Sequence, residues 1–435
     1  MAADRQSGKS TPTLYAMNNT AIAPCWLRSI KPDMGFQRLH KLVHVIADVN
    51  FARLRANFLT HFNLDARRLA KEGPRVVYEG SVADGIVDAV RRAGGVLSTK
   101  DLSDHLVSTE PLEVKPVTTT FRGQVTVHTT PLPTQGAVLL EALNILEGFD
   151  LKGLQNVPGQ FEHVMIEALR YASADGLRYV GDPGAGGSID QMLSRERACQ
   201  LRALVKFRRR AEQVCPDIGH PQGHSGTNFM AAADEMGNVC ALIGSLSRGF
   251  GCAVVEEHGF AIQARANGFN LIPGHPNCVG PCKKPYHSLM PVMVSDVRTP
   301  NWFCTLGTMG GAIQPHVLTQ VLLNMIMLGL DPQESVSKCR FGLGSIYGSH
   351  PDDPVQLELG FDKVVQQALE QRGHTVKVDQ SELRRYSVGH AHVLCRAAQW
   401  WTKEDISGDG SKRTFCDGPI WCGADTRANA VALGY

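Results

Sequence analysis

The feature that most constrains the fold of this chain is its most apolar run, Val317 to Leu330. Thr319, Gln320 and Asn324 interrupt the run, which is also shorter than the roughly 20 apolar residues that a membrane-spanning helix needs. It therefore predicts a helix over 315–330 that is buried in a protein core. A chain of 435 residues is long enough to form a core of that size.

The charge balance and the cysteine content exclude several classes of protein. Lys and Arg total 44 and Asp and Glu total 42, and the net charge of +2 gives no electrostatic reason to expect nucleic acid or an anionic membrane as a partner. Twelve cysteines in 435 residues are too few for a disulfide scaffold and favour a reducing compartment. The first ten residues contain no apolar segment, so no signal peptide is predicted and a cytoplasmic location is expected.

Hydrophobic periodicity on both sides of the apolar helix indicates an α+β fold. Helical patterns dominate between Phe51 and Gly95, and a basic run at 202–210 predicts a solvated helix face. Asp331 to Glu334 carries a capping signal for the start of a helix. The other predicted elements are a strand at Phe121–Thr130; helices at Thr134–Leu146, Phe161–Ala174 and Phe361–Arg372; hairpins that pair Phe229–Ala233 with Val239–Leu246 and Met290–Ser295 with Trp302–Gly307; and strands at Val355–Leu359 and His392–Leu394.

Two groups of side chains are candidate metal ligands. One is His220 with His224, and the other comprises His275, Cys278, Cys282 and His287. Four nitrogen and sulfur ligands would complete a tetrahedral zinc site. The second cysteine pair that makes such a motif specific is missing, so buried cysteines acting as small hydrophobic residues are the simpler interpretation. We therefore predict no metal and keep zinc binding as an alternative.

A series of blocks in a fixed order is more specific than any single motif. The blocks are PLPTQG at 131–136, ALNILEG at 142–148, HVMIEALR at 163–170 with YVGDP at 179–183, the hairpin from Thr227 to Asn238, KPYHSLMP at 284–291 and GTMGG at 307–311. Through them the chain resembles the γ-glutamyltransferase family of N-terminal-nucleophile hydrolases, particularly its glutathione hydrolase-like proenzymes. The resemblance covers residues 65–435.

The resemblance implies a four-layer αββα sandwich, made as a precursor that is cut between Gly226 and Thr227. Residues 1–64 would form a divergent leader, residues 65–226 the large-subunit part of the sandwich, and residues 227–435 the small, catalytic part. The two pieces are expected to stay associated. The family's N-terminal block, which includes a substrate-binding arginine, has no match in residues 1–64 and is predicted to be missing or divergent.

The resemblance also assigns the catalytic roles. Thr227 matches the nucleophile, whose freed α-amine, with a reference pKa of about 7.7–8.0, supplies the base that a weakly nucleophilic hydroxyl needs. Gly310 and Gly311 match the pair whose N–H groups stabilise the tetrahedral oxyanion, and Ser245 matches the hydroxyl residue that hydrogen-bonds the nucleophile. The implied substrate is a small-molecule γ-glutamyl compound such as glutathione, or a related acyl amide. Water, an amine or a peptide is the acceptor, and no cofactor is required.

Parts of the site depart from the family pattern. Asn228 replaces a second threonine, Asn267 with Gly268 replaces an acidic pair, and His287 with Ser288 replaces a pair of serines. We therefore predict substrate binding by Asn267, His287 and Ser288 with an altered acyl specificity. A catalytically impaired relative that acts as an interaction protein is the alternative function.

Overall fold

The structure is a computed structural model that describes residues 65–108, 113–214, 227–234, 236–247, 251–297, 302–344, 350–379, 388–396, 419–428 and 430–433. The chain forms two compact units. The larger comprises Val114–Ser247 and the residues from Arg265 onward, and the smaller comprises the described residues up to Glu113 together with Arg248–Ala264. The predicted site residues that are described all lie in the larger unit.

The helices and strands are numbered in chain order. The helices are α1 (Arg75–Tyr78), α2 (Ser81–Arg92), α3 (Thr99–Ser108), α4 (Gly136–Glu147), α5 (Leu151–Leu154), α6 (Gln160–Tyr179), α7 (Arg195–Leu204), α8 (Gln314–Leu328), α9 (Pro332–Ser337) and α10 (Lys363–Gln371). The strands are β1 (Val117–Phe121), β2 (Val125–Thr129), β3 (Thr227–Ala233), β4 (Val239–Ser245), β5 (Ala253–Val255), β6 (Phe260–Ile262), β7 (Val292–Asp296), β8 (Trp302–Met309), β9 (Phe341–Leu343), β10 (Val355–Leu357), β11 (Val376–Val378), β12 (His390–Cys395) and β13 (Trp421–Ala424). Residues 65–72 are also helical, and short 3-10 turns occur at Pro183–Ala185, Arg265–Gly268 and Gly311–Ile313.

A six-stranded antiparallel sheet lies at the centre of the larger unit. Its strand order is β1-β2-β7-β8-β12-β13, so the sheet combines two strands that precede the predicted cut with four that follow it, joined through the β2–β7 pair. Helices α4 and α8 pack on one face, where their apolar side chains share a core with Leu306 of β8 and Val393 of β12. Burial of apolar surface, at about 25 cal/mol per Å², is the main force that holds the helices to the sheet.

The β3–β4 hairpin lies on the opposite face of this sheet. Phe229 of β3 lies over Gly307, where any side chain would collide with the phenyl ring. The same ring stacks on His392, with 6.5 Å between the ring centroids. Successive strand residues point to opposite faces, so Gly307 and His392 face away from Leu306 and Val393 and hence away from the helices. Helices, central sheet and hairpin therefore form three consecutive layers.

Helix α8 is the buried apolar helix predicted at 315–330. It ends at Leu328 and is capped by Gly329, whose φ of 65° is the left-handed conformation that commonly terminates helices. The segment Gly311–Leu328 would be long and apolar enough to cross a membrane, but 78% of it is buried inside the protein. Its apolar character is thus explained by its place in the core of the larger unit.

Both predicted hairpins and the capped helix are confirmed. β3 pairs with β4 and β7 pairs with β8, and Asp331 accepts a hydrogen bond from the Glu334 N–H in a complete capping box. The strand predicted at Phe121–Thr130 is present as β2 over Val125–Thr129, but its start is misplaced, because Phe121 ends β1, a separate strand that forms a hairpin with β2. β1 has the sequence VTTTF, and this threonine-rich edge strand carries too weak an apolar pattern to be recognised.

Two predicted helices have different limits in the structure. The helix predicted at Phe161–Ala174 continues to Tyr179 as α6. The basic run at 202–210 is helical only to Leu204, where α7 ends. Beyond that point the Arg210 N–H donates to the Arg372 carbonyl at 2.7 Å, so the end of the run is tied to the last turn of α10 instead of continuing a helix.

The smaller unit is organised around His258, which lies in the turn between β5 and β6. Its Nδ1 is 2.6 Å from a carboxylate oxygen of Asp65, and its Nε2 is 3.0 Å from the Ser81 carbonyl. Gly85 of α2 leaves room for the imidazole, because a Cβ at that position would lie 2.9 Å from the ring. The histidine therefore ties α2 and the helical segment 65–72 to the β5–β6 ribbon.

Candidate active site

Thr227 is the first residue of β3 and lies opposite Ser245, the last residue of β4. The Thr227 hydroxyl donates to Ser245 Oγ at 2.9 Å, and the Ser247 N–H donates to the same oxygen at 2.9 Å. The Thr227 side chain is buried. The two hydroxyl groups that the sequence predicts to cooperate are therefore in direct contact. Gly226, the other side of the predicted cleavage site, lies outside the described residues.

Two contacts fix the direction in which the hairpin crosses the sheet. Near the hairpin turn, Trp302 Nε1 donates to the Gly237 carbonyl at 2.7 Å, and farther along Phe229 covers Gly307. Gly237 therefore lies beside Trp302, the first residue of β8, and Phe229 lies beside Gly307, near its last residue. Moving along the hairpin from its turn toward Thr227 thus runs in the same direction as β8. Thr227 is two residues beyond Phe229 on the same face of β3, roughly 7 Å farther along. This direction leads toward the turn that follows β8.

That turn consists of Gly310 and Gly311 and connects β8 to α8. Their φ values of 137° and 57° are rarely adopted by residues with a side chain. The Gly310 carbonyl accepts a hydrogen bond from the Ile313 N–H at 3.2 Å. A Cβ on Gly310 would lie 2.9 Å from the Ile313 side chain and 3.5 Å from the Cα of Gly389. The backbone therefore requires glycine at the two positions predicted to stabilise an oxyanion.

Ser288 precedes β7 and is buried beside the hairpin core, in which its neighbour Leu289 packs on Phe229. Its hydroxyl accepts a hydrogen bond from Arg265 Nη1 at 3.1 Å. Burial lowers the pKa of Arg265 to about 10, so the guanidinium stays charged at neutral pH. Loss of solvation, together with the charge of Arg265, holds the pKa of His287 well below its usual range. His287 is therefore a neutral polar residue at neutral pH.

Two buried residues of this region, Gln135 and Arg265, were not identified from the sequence. The Gln135 carboxamide donates 2.8 Å hydrogen bonds to the carbonyls of Ser288 and Gly311, and so joins two predicted parts of the site. Gln135 belongs to the PLPTQG block, but a motif does not reveal which backbone carbonyls a side chain contacts. Arg265 lies in a stretch that carries no motif.

The two asparagines that depart from the family pattern, of which Asn267 is a predicted substrate-binding residue, are exposed. Asn267 lies in the 3-10 turn that begins with Arg265, and Asn228 follows Thr227 in β3 with its side chain on the face opposite that of Thr227. The structure thus brings Thr227 into contact with Ser245 and links Ser288 to Gly311 through Gln135. It leaves Asn267 at the surface.

The family model for gamma-glutamyltranspeptidase matches residues 64–414, which is most of the chain. The chain belongs to the gamma-glutamyltranspeptidase family. This family member is 30% identical over 312 residues to the glutathione hydrolase-like YwrD proenzyme of Bacillus subtilis (strain 168), covering 71% of this chain and 57% of that protein. It is 27% identical over 329 residues to the glutathione hydrolase proenzyme of Escherichia coli (strain K12), covering 72% of this chain and 54% of that protein. The chain spans about half the length of the curated relatives it matches.

A solved structure supports the same relationship. This gamma-glutamyltranspeptidase family member is similar to cephalosporin acylase from Bacillus halodurans, with a TM-score of 0.68 and 27% sequence identity over 86% of this chain and 63% of that chain. The likeness confirms the predicted α+β sandwich of the N-terminal-nucleophile hydrolase type. Residues 1–64, where the family's N-terminal block was predicted to be missing or divergent, lie outside the described residues.

The side chains of the alternative zinc site have other partners. His275 Nδ1 accepts a hydrogen bond from the Asn277 N–H at 3.0 Å, and its Nε2 donates to the Leu177 carbonyl at 3.0 Å. His287 Nδ1 accepts from the Leu289 N–H at 3.2 Å. Within the described residues, these histidines and the two cysteines do not converge on a common point. His220 and His224 lie outside the described ranges.

Among the described residues, three possible metal ligands do lie close together in the core: His163, Glu167 and His374. His163 Nε2 is 2.7 Å from the Lys206 carbonyl, to which it must donate, so its Nδ1 accepts from His374 Nε2 at 2.7 Å. Glu167 is already paired with the Arg170 guanidinium at 2.7 Å. This arrangement is a satisfied hydrogen-bond network beside a cation, which disfavours a divalent metal.

The histidine pair makes stability depend on pH. Burial, followed by the positive charge of neighbouring groups, lowers the pKa of His374 to about 2, whereas an unfolded histidine titrates near pH 6.5. Below about pH 6.5 the unfolded state therefore binds more protons than the folded state. As the pH is lowered through this range, the free energy of unfolding decreases by up to about 1.4 kcal/mol per pH unit. We expect His374→Gln, which keeps a donor for His163 but cannot titrate, to flatten that slope. Urea unfolding followed by tryptophan fluorescence at several pH values would measure it, and equal slopes in both proteins would contradict the prediction.

Proposed function

We propose that this chain is an autoprocessed threonine-nucleophile amidohydrolase or acyltransferase that acts on γ-glutamyl compounds such as glutathione, or on related acyl amides. The observation that carries the proposal is the Thr227–Ser245 hydroxyl pair at the start of the hairpin, together with a glycine turn at the end of β8. Membership of the gamma-glutamyltranspeptidase family supports the reaction class.

Maturation requires the Thr227 hydroxyl to attack the carbonyl carbon of Gly226. The peptide bond breaks as the acyl group moves from nitrogen to oxygen, and water then hydrolyses the resulting ester. The products are a carboxylate on Gly226 and a free α-amine on Thr227. Glycine before the threonine has no side chain to obstruct the attack. The large and small pieces are expected to stay associated after the cut.

In turnover, the freed α-amine takes the proton of the Thr227 hydroxyl as its oxygen attacks the acyl carbonyl. The oxyanion of the tetrahedral intermediate is held by the N–H groups of Gly310 and Gly311. The ammonium then gives its proton to the leaving amine, and an ester acyl-enzyme remains. Water or an acceptor amine attacks this ester with the same group as base and restores the hydroxyl of Thr227.

The predicted substrate-binding residues Asn267 and His287 influence which acyl group is accepted. Asn267 carries no charge, so it cannot form an ion pair with the α-ammonium of a glutamyl group. His287 is neutral and adds no positive charge for a substrate carboxylate. The uncharged Asn267 supports a wider range of acyl amides than γ-glutamyl compounds alone, whereas the charged Arg265 bonded to Ser288 still leaves one cation in the predicted acyl-binding segment.

Processing is the first test of the proposal. We expect the purified protein to give two bands on a denaturing gel, and N-terminal sequencing of one band to begin at Thr227. The processed protein should hydrolyse at least one member of a panel of 4-nitroanilides made from glutamate, through its γ-carboxyl group, and from simple mono- and dicarboxylic acids. A persistent single chain with no activity on the panel would contradict the proposal and favour an interaction protein.

A further inference from the structure

Gln135 is buried at the entry to α4, with 1% of its surface exposed. Its side-chain Nε2 donates to two backbone carbonyls, those of Ser288 and Gly311, each at 2.8 Å. Its main-chain N–H donates to the His287 carbonyl at 2.9 Å. One residue thus holds the segment before β7 and the glycine turn after β8.

The orientation of the carboxamide is determined by its partners. Both carbonyl oxygens can only accept hydrogen bonds, so the amino end of the side chain must face them. The opposite end, Oε1, accepts from the Tyr286 hydroxyl at 3.0 Å. Burial raises the pKa of Tyr286, so the phenol keeps its proton and remains a donor. Exchanging the amide oxygen and nitrogen would place the amide oxygen against two carbonyl oxygens, and this loss is not offset at the other end, where the Tyr286 hydroxyl can either donate or accept.

We propose that Gln135 is a positioning residue that aims the backbone N–H groups of Gly310 and Gly311 at the oxyanion. The inference rests on the proposed function and goes beyond it by naming a residue outside the nucleophile, its hydroxyl partner and the glycine pair. Gly311 has a left-handed backbone with no side chain to restrain it. A hydrogen bond to its carbonyl fixes the rotation of the peptide that follows Gly311, and hence the shape of the turn. The second bond, to Ser288, sets the distance between this turn and the predicted acyl-binding segment.

The role predicts a loss in catalytic rate rather than in binding. An oxyanion forms in both acylation and deacylation, so kcat depends on the turn whichever step is slower. Removing one oxyanion donor costs roughly 10²–10³ in rate. Gln135→Met leaves the N–H groups of Gly310 and Gly311 in place but less well oriented, so its effect on the rate should be smaller. We expect it to lower kcat about 10- to 100-fold while KM changes less than about threefold.

Gln135→Glu separates positioning from simple structural damage. An ionised carboxylate would face two carbonyl oxygens and push the turn away, whereas a protonated carboxyl can donate to one of them. The ratio of kcat in Gln135→Glu to kcat in the wild type should therefore rise as the pH is lowered from about 8 to about 5.5. The same ratio for Gln135→Met should stay constant over that range.

Gln320 offers a matched control within α8. It is also buried, its Nε2 donates to the carbonyls of His316 and Phe341 at 2.9 and 2.8 Å, and its Oε1 accepts from the Phe341 N–H at 3.0 Å. Gln320→Met removes the same groups away from the site, so it should lower the thermal midpoint about as much as Gln135→Met while leaving kcat within about twofold.

The assay uses the 4-nitroanilide of the panel on which the processed wild type is most active. A lower kcat in both Gln135 variants, with the rising ratio for Gln135→Glu only, supports the inference. An active wild type with unchanged kcat in Gln135→Met, or equal losses in the Gln135 and Gln320 variants, overturns it. A processed wild type with no activity on any anilide overturns the proposed function, and the inference falls with it.

Discussion

Thr227→Ala is expected to abolish both chain cleavage and turnover. The substitution removes the only atom that the proposed mechanism uses as a nucleophile, and without cleavage there is no α-amine to act as base. Losing the nucleophile of a comparable catalytic unit lowers kcat on the order of 10⁶-fold. A denaturing gel should show one uncut chain, and anilide hydrolysis should fall to background.

Two further variants serve as controls for Thr227→Ala. Thr227→Ser keeps a hydroxyl and should retain cleavage at a reduced rate. Thr305→Ala removes the same atoms from another buried strand threonine, whose hydroxyl donates to the Val292 carbonyl at 2.9 Å. It should remain fully cut and active apart from a loss of stability of about 1 kcal/mol. A Thr227→Ala protein that is still cut at the same bond would rule out Thr227 as the processing nucleophile.

Gly310→Ala is expected to have the second largest effect. At a φ of 137° an alanine is strained by about 1–3 kcal/mol, and its Cβ would lie 2.9 Å from the Ile313 side chain. The turn can relieve this strain only by rotating the peptides that carry the proposed oxyanion donors. We therefore expect kcat to fall about 10²- to 10³-fold, as it does when one such donor is lost.

Gly342→Ala is the matched control for this substitution. A Cβ on Gly342 would contact the same Ile313 side chain at an ordinary 3.8 Å, and the backbone there is not left-handed. It should leave kcat unchanged within about twofold. Steady-state kinetics on the processed proteins provides the measurement. Equal activity in both alanine variants would show that the shape of the turn after β8 does not matter for the reaction.

The sequence predicts the parts of this fold whose signals are local. The hairpin turn between β3 and β4, the cap of α9 and the apolar run of α8 each depend on residues close in the chain, and all appear in the structure. The limits of α6 and α7 were less accurate. The reason is that contacts with distant segments, such as the bond from Arg210 to Arg372, decide where the local pattern stops.

In the candidate site, too, the residues that the sequence predicts differ from those whose roles depend on long-range contacts. Thr227, Ser245 and the glycine pair are predicted as site residues because a family resemblance carries them at fixed places in the sequence. The roles of Gln135 and Arg265 depend on contacts that span 153 and 23 residues of the chain. Such contacts form only once the strands are arranged in their order in the sheet, and that order was not predicted from the sequence. The predicted boundaries at residues 64 and 226 stay predictions.

The pairing of β2 with β7 has a consequence for any form of this protein that is cut at residue 226. Val125–Thr129 on one side of the cut is hydrogen-bonded along its length to Val292–Asp296 on the other. If the two pieces were separated, each would present a bare strand edge from the middle of a sheet, beside apolar surface that the other had covered. Such edges pair with any available strand. Loss of one piece should therefore appear as precipitation of the other, and a soluble single piece is not expected.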